Sequence, residues 1–554
     1  MDQVTMKHQA ARYSDVTLHV YNSLSRSSEP FHPIDPPFVG MYVCGPTVYS
    51  DPHLGHARTA VAFDTVFRFL RFLGYRVRYV RNITDVGHLE DEQELSGEDK
   101  IAKRARLERV EPMEVVQRYT VSYHDGMRRL GCLSPSIEPR ASGHIPEQID
   151  LVRKLLDSGT AYESNGSVYF DLEKYVRSES SYGKLSGKVF DDLRTNTRAI
   201  TGEDEKRSPL DFALWKRAEP DHIMRWNSPW SEGFPGWHLE CTTMSTRYLG
   251  EEFDIHGGGL DLQFPHHEAE IAQSRGAYGH GPARYWIHSN MLTVDGQKMA
   301  KSLGNFITLD EMFAGTHERL ERSFSPMVLR FFMLQSHYRS TVDFSSEALE
   351  AADRGYRRLI AGLHNAEQFL AEELAAEAGC TAESARAETV GARTVAGPAV
   401  DDIARRGMSV PLPSEIIGDD THTHEVRRLV ETCWTAMGDD FHTPRTVAAL
   451  FDLIRLTGRD EHKTAPHGTQ VAAARTVRGF IRDVLGLSPD TEGISGGESE
   501  KSRLGAVMEM VIELRKSARA SKDFAAADRI RDTLAAAGIR LEDHRDGTTT
   551  WALE

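Results

Sequence analysis

The stretch from Met41 to Ile83 constrains the fold more than any other part of the chain. Met41, Tyr42 and Val43 form a short apolar run that enters a Cys44–Gly45–Pro46 turn. Asp51 suits a helix cap and Pro52 the first helical position. The pattern from His53 to Leu73 then reads as helix, stopped by Gly74. Val77 to Ile83 reads as the next strand. Strand, helix and strand in this order make a βαβ unit, and such units build a parallel sheet.

The alternation returns at Phe253, Asp254 and Ile255, followed by a Gly257–Gly258–Gly259 turn and a helix from about His266. Between the two α/β stretches lies an insertion, at about 125–210. It is helical over 145–156, carries an Asn165–Gly166 hairpin turn, and becomes a polar loop over 192–206. Asp295–Gly296 marks a second hairpin. From about Pro326 the texture is all helix, with one long amphipathic run over 346–373 and further helices over 426–437, 444–455 and 471–485. Residues 375–423 have weak periodicity and read as a poorly ordered insert. Residues 488–502 read as a linker. The end of the chain reads as two helical segments and a hairpin, with strands over 539–544 and 548–552 around Asp546–Gly547. The expected layout is an α/β parallel-sheet domain over 1–325, a connecting segment over 326–345, an all-α bundle over 346–487 and a small α/β unit over 503–554. At roughly 100–200 residues per domain, 554 residues hold about three or four.

Composition sets the class. The chain is 40% hydrophobic and 27% charged, with a mean hydropathy of −0.44. That is a soluble globular balance. No run of 18 apolar residues suggests a membrane span, and residues 1–14 lack the apolar core of a secretory signal. The five cysteines, Cys44, Cys132, Cys241, Cys380 and Cys433, are odd in number and widely spread. They suit a reduced cytoplasm better than a disulfide framework. A net charge of −16 argues against non-specific DNA coating but leaves room for a local basic face.

Four constellations carry possible chemistry. His53 and His56 stand three apart at a helix start, where free N–H groups and the dipole favour anions. Gly55 between them leaves room for a flat ligand. A nucleoside triphosphate attacked at its α-phosphate needs such donors, although two surface histidines would read the same way. Lys298 and Lys301 lie in a loop after the second hairpin. Two ammonium groups can clamp a triphosphate, but a lysine-rich loop is often only a solvated surface. Cys44, Cys241, His266 and Glu270 form a candidate zinc set. His266 and Glu270, four apart, share a helix face, from which His267 is expected to point away. Two buried free cysteines are the simpler alternative, because 197 residues separate them. Gly257 and Gly258 would let backbone approach an adenine or ribose, and Asp261 could take ribose hydroxyls. A glycine triplet is also often only a loop.

The histidine tetrapeptide 53–56 (HLGH) and the pentapeptide 298–302 (KMAKS) resemble the two signatures of class I aminoacyl-tRNA synthetases. The words at 41–49 (MYVCGPTVY), 82–86 (NITDV), 236–245 (GWHLECTTMS) and 254–270 (DIHGGGLDLQFPHHEAE), and HYRS within 329–345, narrow the resemblance to the cysteinyl-tRNA synthetases. It runs from about residue 18 to the C-terminus. Leu54 stands where isoleucine is usual and Ala300 where serine is usual; neither removes an active side chain.

The resemblance implies a Rossmann-like catalytic domain, a helical anticodon-binding bundle and a small C-terminal anticodon-recognition unit. It implies one Zn²⁺ on Cys44, Cys241, His266 and Glu270. It implies ATP, with Mg²⁺, at His53, His56, Lys298 and Lys301, and cysteine against Thr84 and Trp237. The implied reaction is ATP-dependent ligation of L-cysteine to the 3′ end of tRNA(Cys) through a cysteinyl-adenylate. The chain is expected to be a cytoplasmic monomer. The residues offer Arg68, Arg71, Arg76, Arg78, Arg81 and the run 100–109 as candidate phosphate contacts. Arg529, Arg531, Arg540 and Trp551 are candidate anticodon contacts. Cys132, Cys380 and Cys433 are taken as packing residues. Three rivals remain: a ligase joining cysteine to an amino-sugar inositol in mycothiol synthesis, a small-molecule nucleotidylyltransferase, and a non-catalytic zinc-stabilised tRNA-binding scaffold.

Overall fold

Four parallel strands form the central sheet of this computed structural model: β1 (Phe38–Val43), β2 (Arg76–Arg81), β3 (Phe253–Gly259) and β4 (Ala283–Ser289). Their spatial order is β4–β3–β1–β2. The structure describes residues 12–86, 89–91, 96–179, 181–190, 192, 205–219, 222, 224–378, 409–489 and parts of 508–553. Helix α1 (Leu54–Phe72) joins β1 to β2 and ends before Gly74, whose φ of 96° only glycine adopts readily. The expected βαβ unit is therefore present.

The chain leaves β1 on one side for β2 and returns on its other side for β3. Strand order reverses at β1, so a crevice opens at the carboxyl ends of β1 and β3. The expected glycine turn proves to be strand: β3 runs through Gly257, Gly258 and Gly259, paired with Ile287, His288 and Ser289. Its glycines answer a packing demand. A Cβ on Gly257 would lie 2.2 Å from Phe63 Cε1, so the bare backbone lets α1 lie close on the sheet.

An antiparallel sheet of five strands intervenes between β2 and β3 in the chain. Asn165 and Gly166, at φ 51° and 84°, close its hairpin Ala161–Ser164/Ser167–Phe170. Three of its strands, Phe212–Arg217, Trp226–Asn227 and Glu232–Pro235, lie beyond the 125–210 expected of the insertion. Ladder pairing, not sequence texture, draws them in. Helices α2 (Trp237–Leu249) and α3 (His266–Tyr278) come next in the chain.

Residues Met1–Pro489 form one compact unit and Asp490–Glu554 another. Within the first, the helical part packs directly on α1. Phe72 stacks on Trp434 at 5.3 Å, and fully buried Arg330 pairs with Asp64 at 2.5 Å. The segment after Pro326 is not all helix. Val342–Phe344 pairs in parallel with Leu292–Val294, because Val342 and Phe344 face the core while Asp343 faces out. The expected insert over 375–423 is ordered at both ends. Helix Ser346–Ala378 reaches into it, Val410 and Ile416 are buried, and a helix begins at Thr421, capped by Asp420. Residues 379–408, with Cys380, and most of the expected polar loop and linker lie outside the described residues. In the second unit, strands Ile539–Asp543 and Thr549–Leu553 pair with Trp551 opposite Leu541; Asp546 and Gly547 lie outside the described residues. Among the described residues no helix is long and apolar enough to cross a membrane.

Candidate active site and metal centre

The helix start differs from expectation by one turn element. His53, not Asp51, is the N-cap of α1. Asp51 instead accepts from the Ser122 hydroxyl at 2.8 Å. His53 Nδ1 accepts from Gly55 N–H at 3.1 Å, and His56 Nδ1 accepts from His53 N–H at 3.2 Å. This is a capping box built from two imidazoles. A backbone N–H can only donate, so both Nδ1 atoms present lone pairs. In the neutral rings both protons therefore sit on Nε2.

Burial pushes His56 down to about 4. Its folded pKa lies below the unfolded value near 6.5, so its contribution to stability is full above about pH 6.5 and is lost as pH falls towards 4. Nearly level with a His56→Gln variant at pH 7.5, the protein is expected to fall below it in stability by pH 4.5, because glutamine does not titrate. Urea unfolding at the two pH values checks this, and a constant difference would contradict it.

The lysine loop meets this helix start. Asp295 and Gly296, at φ 50° and 72°, close the hairpin Leu292–Val294/Gln297–Lys298. Met299 Cε lies 3.7 Å from where a Cβ on Gly55 would stand. Just beyond the loop, Leu54 N–H donates to Ile307 C=O at 3.2 Å and Leu309 N–H to Pro52 C=O at 2.8 Å. Lys298 is exposed, while Lys301 opens a short 3-10 turn, Lys301–Leu303. Asp261 is exposed just past the end of β3, where a Cβ on Gly259 would lie 2.3 Å from its Oδ1.

On the other side of the crevice the proposed metal donors converge. Cys44 comes directly after β1, and its N–H donates to Gly257 C=O at 2.9 Å. Its Sγ lies 3.6 Å from Cys241 Sγ on α2 and 3.7 Å from Glu270 Oε1 on α3. His266 Nε2 is 3.3 Å from Glu270 Oε1. All four residues are buried, and their donor atoms lie within 4.8 Å of one another. The sulfurs are too far apart for a disulfide, whose S–S bond is about 2.05 Å. Zinc–ligand bonds of about 2.0–2.3 Å give tetrahedral edges of roughly 3.3–3.8 Å, so the set fits Zn²⁺. Burial pushes both the Cys44 thiol and the Glu270 carboxyl well up, because an anion at either position is removed from water. A divalent cation would supply the compensating charge.

His267 does not point away. Its Nε2 is 3.3 Å from Cys44 Sγ and 4.0 Å from Glu270 Oε1. A helix brings i and i+3 together as well as i and i+4, and the 267/270 spacing carried that signal. His256, His267, Cys44 and Glu270 thus make a second overlapping quartet. His256 Nε2 sits 2.9 Å from Glu270 Oε2, and His267 Nδ1 2.9 Å from His288 Nε2. Burial holds His256 and His288 near 3, hence neutral. Among the described residues these rings surround the cluster, and His238 adds a contact to His266 at 3.0 Å. Histidines on different elements have no common spacing, so the sequence carries little sign of this group.

The two residues expected to line the amino-acid pocket border the cluster. The Trp237 ring lies 4.3 Å from that of His266. Thr84 Oγ1 donates to Glu240 Oε2 at 2.9 Å and accepts from Asn82, whose Oδ1 is 3.7 Å from Cys241 Sγ.

The candidate phosphate contacts separate. Arg68 and Arg81 point inward, paired with Asp64 at 2.7 Å and Glu138 at 2.6 Å. Strand and helix alternation turned them to the core side. Arg71 and Arg76 are exposed, but they sit at the carboxyl end of α1 and the amino end of β2, opposite the crevice. Arg78 is also exposed and donates to Tyr248 C=O at 3.1 Å. In the second unit Arg529 and Arg531 are exposed, Arg531 beside Asp528 at 3.2 Å.

The chain is similar over most of its length to known proteins. The family model of the tRNA synthetases class I (C) catalytic domain matches residues 30–354, more than half of the chain. The cysteine–tRNA ligase of Bacteroides thetaiotaomicron is 50% identical over 532 residues, covering 96% of this chain and 98% of the relative. That of Deinococcus radiodurans is 47% identical over 554 residues, covering 99% of each. Among solved structures, methionyl-tRNA synthetase of Mycobacterium tuberculosis superposes with a TM-score of 0.51 at 14% identity, over 81% of this chain and 92% of that one. The last likeness concerns the fold, which is that of a class I aminoacyl-tRNA synthetase. Within that class, the full-length identities place it plainly: the chain belongs to the cysteine–tRNA ligase family.

Proposed function

We propose that this chain activates L-cysteine with ATP and transfers it to the 3′ end of tRNA(Cys), using the crevice between β1 and β3. The convergence of two buried thiols, an imidazole and a carboxylate at zinc spacing, beside a double-imidazole helix cap, supports this reading most. In the first step the cysteine carboxylate attacks the α-phosphate and pyrophosphate leaves. His53 and His56 donate from Nε2 to the phosphate oxygens as charge develops there. Lys298 and Lys301 hold the departing pyrophosphate, Mg²⁺ accompanies the nucleotide, and Gly257, Gly258 and Asp261 border the adenosine. In the second step the terminal ribose hydroxyl attacks the acyl carbon and AMP leaves. No covalent nucleophile of the protein is needed.

Thr84 and Trp237 flank the amino-acid side. Cys44, Cys241, His266 and Glu270 would hold Zn²⁺, which when bound prefers a soft thiolate to a hydroxyl and lowers the thiol pKa. Shape alone separates near-isosteres by only about 1–3 kcal/mol, so thiol chemistry carries the choice of cysteine over serine. Free Cys44, Cys132, Cys241 and Cys433 suit a reducing cytoplasm.

The test is charging of tRNA(Cys) with radiolabelled cysteine and, separately, serine by protein of known zinc content. Cysteine charging with no comparable serine adenylation is expected. Equal adenylation of serine would overturn the zinc account, and failure to charge tRNA would overturn the function.

A further inference from the structure

Asn305 lies just outside the lysine pentapeptide and is fully buried. Its side-chain oxygen accepts from Ala300 N–H at 2.8 Å, and its side-chain NH₂ donates to Lys298 C=O at 3.1 Å. The two bonds bracket Met299, the residue that reaches over Gly55. Gly304, at φ 63°, lets the chain reverse between the turn Lys301–Leu303 and Asn305.

The segment directly after Asn305 is held in place. Ile307 and Leu309 are buried, and the backbone of 307–309 is bonded to Pro52 and Leu54, with Thr308 bridging to His53. The Phe306 ring also meets the His53 ring, with centroids 4.8 Å apart. Asn305 is thus rooted in a segment bonded to the histidine helix start, while its side chain grips an exposed loop. Burying a carboxamide is unfavourable unless its groups are bonded. Here its acceptor and a donor are both spent on the loop backbone, where a purely apolar side chain would serve packing as well.

We infer that Asn305 is a positioning residue for adenylation, holding the lysine loop in register with His53 and His56. The inference rests on the reading of that loop as part of the ATP site. With the clasp intact, the backbone at Lys298 and Ala300 has one placement relative to α1. Without it, Lys298 C=O and Ala300 N–H turn to water at little loss of fold stability, because Lys298 is exposed and Ala300 only half-buried. The loop then samples many placements, and the reaction loses its preorganisation.

The experiment uses the full chain and compares Asn305→Ala, Asn305→Asp and Lys298→Ala in cysteine-dependent ATP–pyrophosphate exchange, with KM for each substrate and the melting temperature. Asn305→Ala is expected to lower exchange kcat by about 10- to 100-fold, with KM for cysteine and the melting temperature unchanged. Asn305→Asp keeps an acceptor for Ala300 but turns a buried carboxylate oxygen against Lys298 C=O, so it is expected to lose at least as much. Lys298→Ala is expected to lose at least as much as Asn305→Ala. Unchanged exchange in Asn305→Ala beside an impaired Lys298→Ala would overturn the clasp and leave the loop reading standing. A loss in Asn305→Ala accompanied by a lower melting temperature and a raised KM for cysteine would also overturn it, as the mark of general packing. Full exchange in Lys298→Ala would overturn the loop reading, and the inference with it.

Discussion

Replacing Cys241 with alanine is expected to lower cysteine-dependent pyrophosphate exchange by about 10³-fold or more, with loss of stoichiometric zinc. Cys241 is buried on α2 and stands 3.6 Å from Cys44, so its removal leaves three donors and an open edge in the cluster. Cys241→Ser keeps the volume but replaces a soft ligand by a neutral hydroxyl, so it is expected to lose zinc and exchange as well. Cys433 is equally buried, but in the helical part. Cys433→Ala is expected to cost about 1 kcal/mol of stability and leave zinc and exchange untouched. Exchange by metal-free Cys241→Ala at the rate of the unaltered protein would sink the metal assignment.

His56→Ala is expected to lower exchange by about 10²–10³-fold. It removes two things at once: an Nε2–H donor, and the Nδ1 acceptor that closes the helix cap at His53 N–H. Losing the cap costs about 1 kcal/mol. His56→Gln separates the two, because a glutamine oxygen at this third helical position can take the same N–H. Its stability at pH 7.5 is expected to return near that of the unaltered protein while exchange stays about 10²-fold down. Exchange recovering in step with stability would show that His56 acts only as a cap.

Much of the frame was legible locally. The run from Met41 to Ile83 announces a βαβ unit because strand and helix periodicities and a terminal glycine are written within a few residues of one another. Asn165–Gly166 and Asp295–Gly296 announce hairpins because left-handed backbone is easiest there. Cap position was harder. Asp51 is the better capping residue in isolation, but Ser122, on the helix Pro112–Arg129, claims it, and the cap passes to His53. The glycine triplet misled for a related reason. A turn and a close helix–sheet contact both exclude side chains, and only the position of Phe63 shows which applies.

Short-range sequence suffices for the parallel-sheet class, the two hairpin turns, the pairing of His53 with His56 and the i to i+4 placement of His266 and Glu270. Each depends on residues near one another in the chain. Long-range packing brings Cys44 to Cys241, gathers His256, His267 and His288 around Glu270 and Cys44, and turns Arg68 and Arg81 inward. Those contacts arise from how strands pair at the reversal beside β1 and how α1, α2 and α3 pack upon them. Local periodicity specifies which face of an element is apolar, but not which element that face will meet.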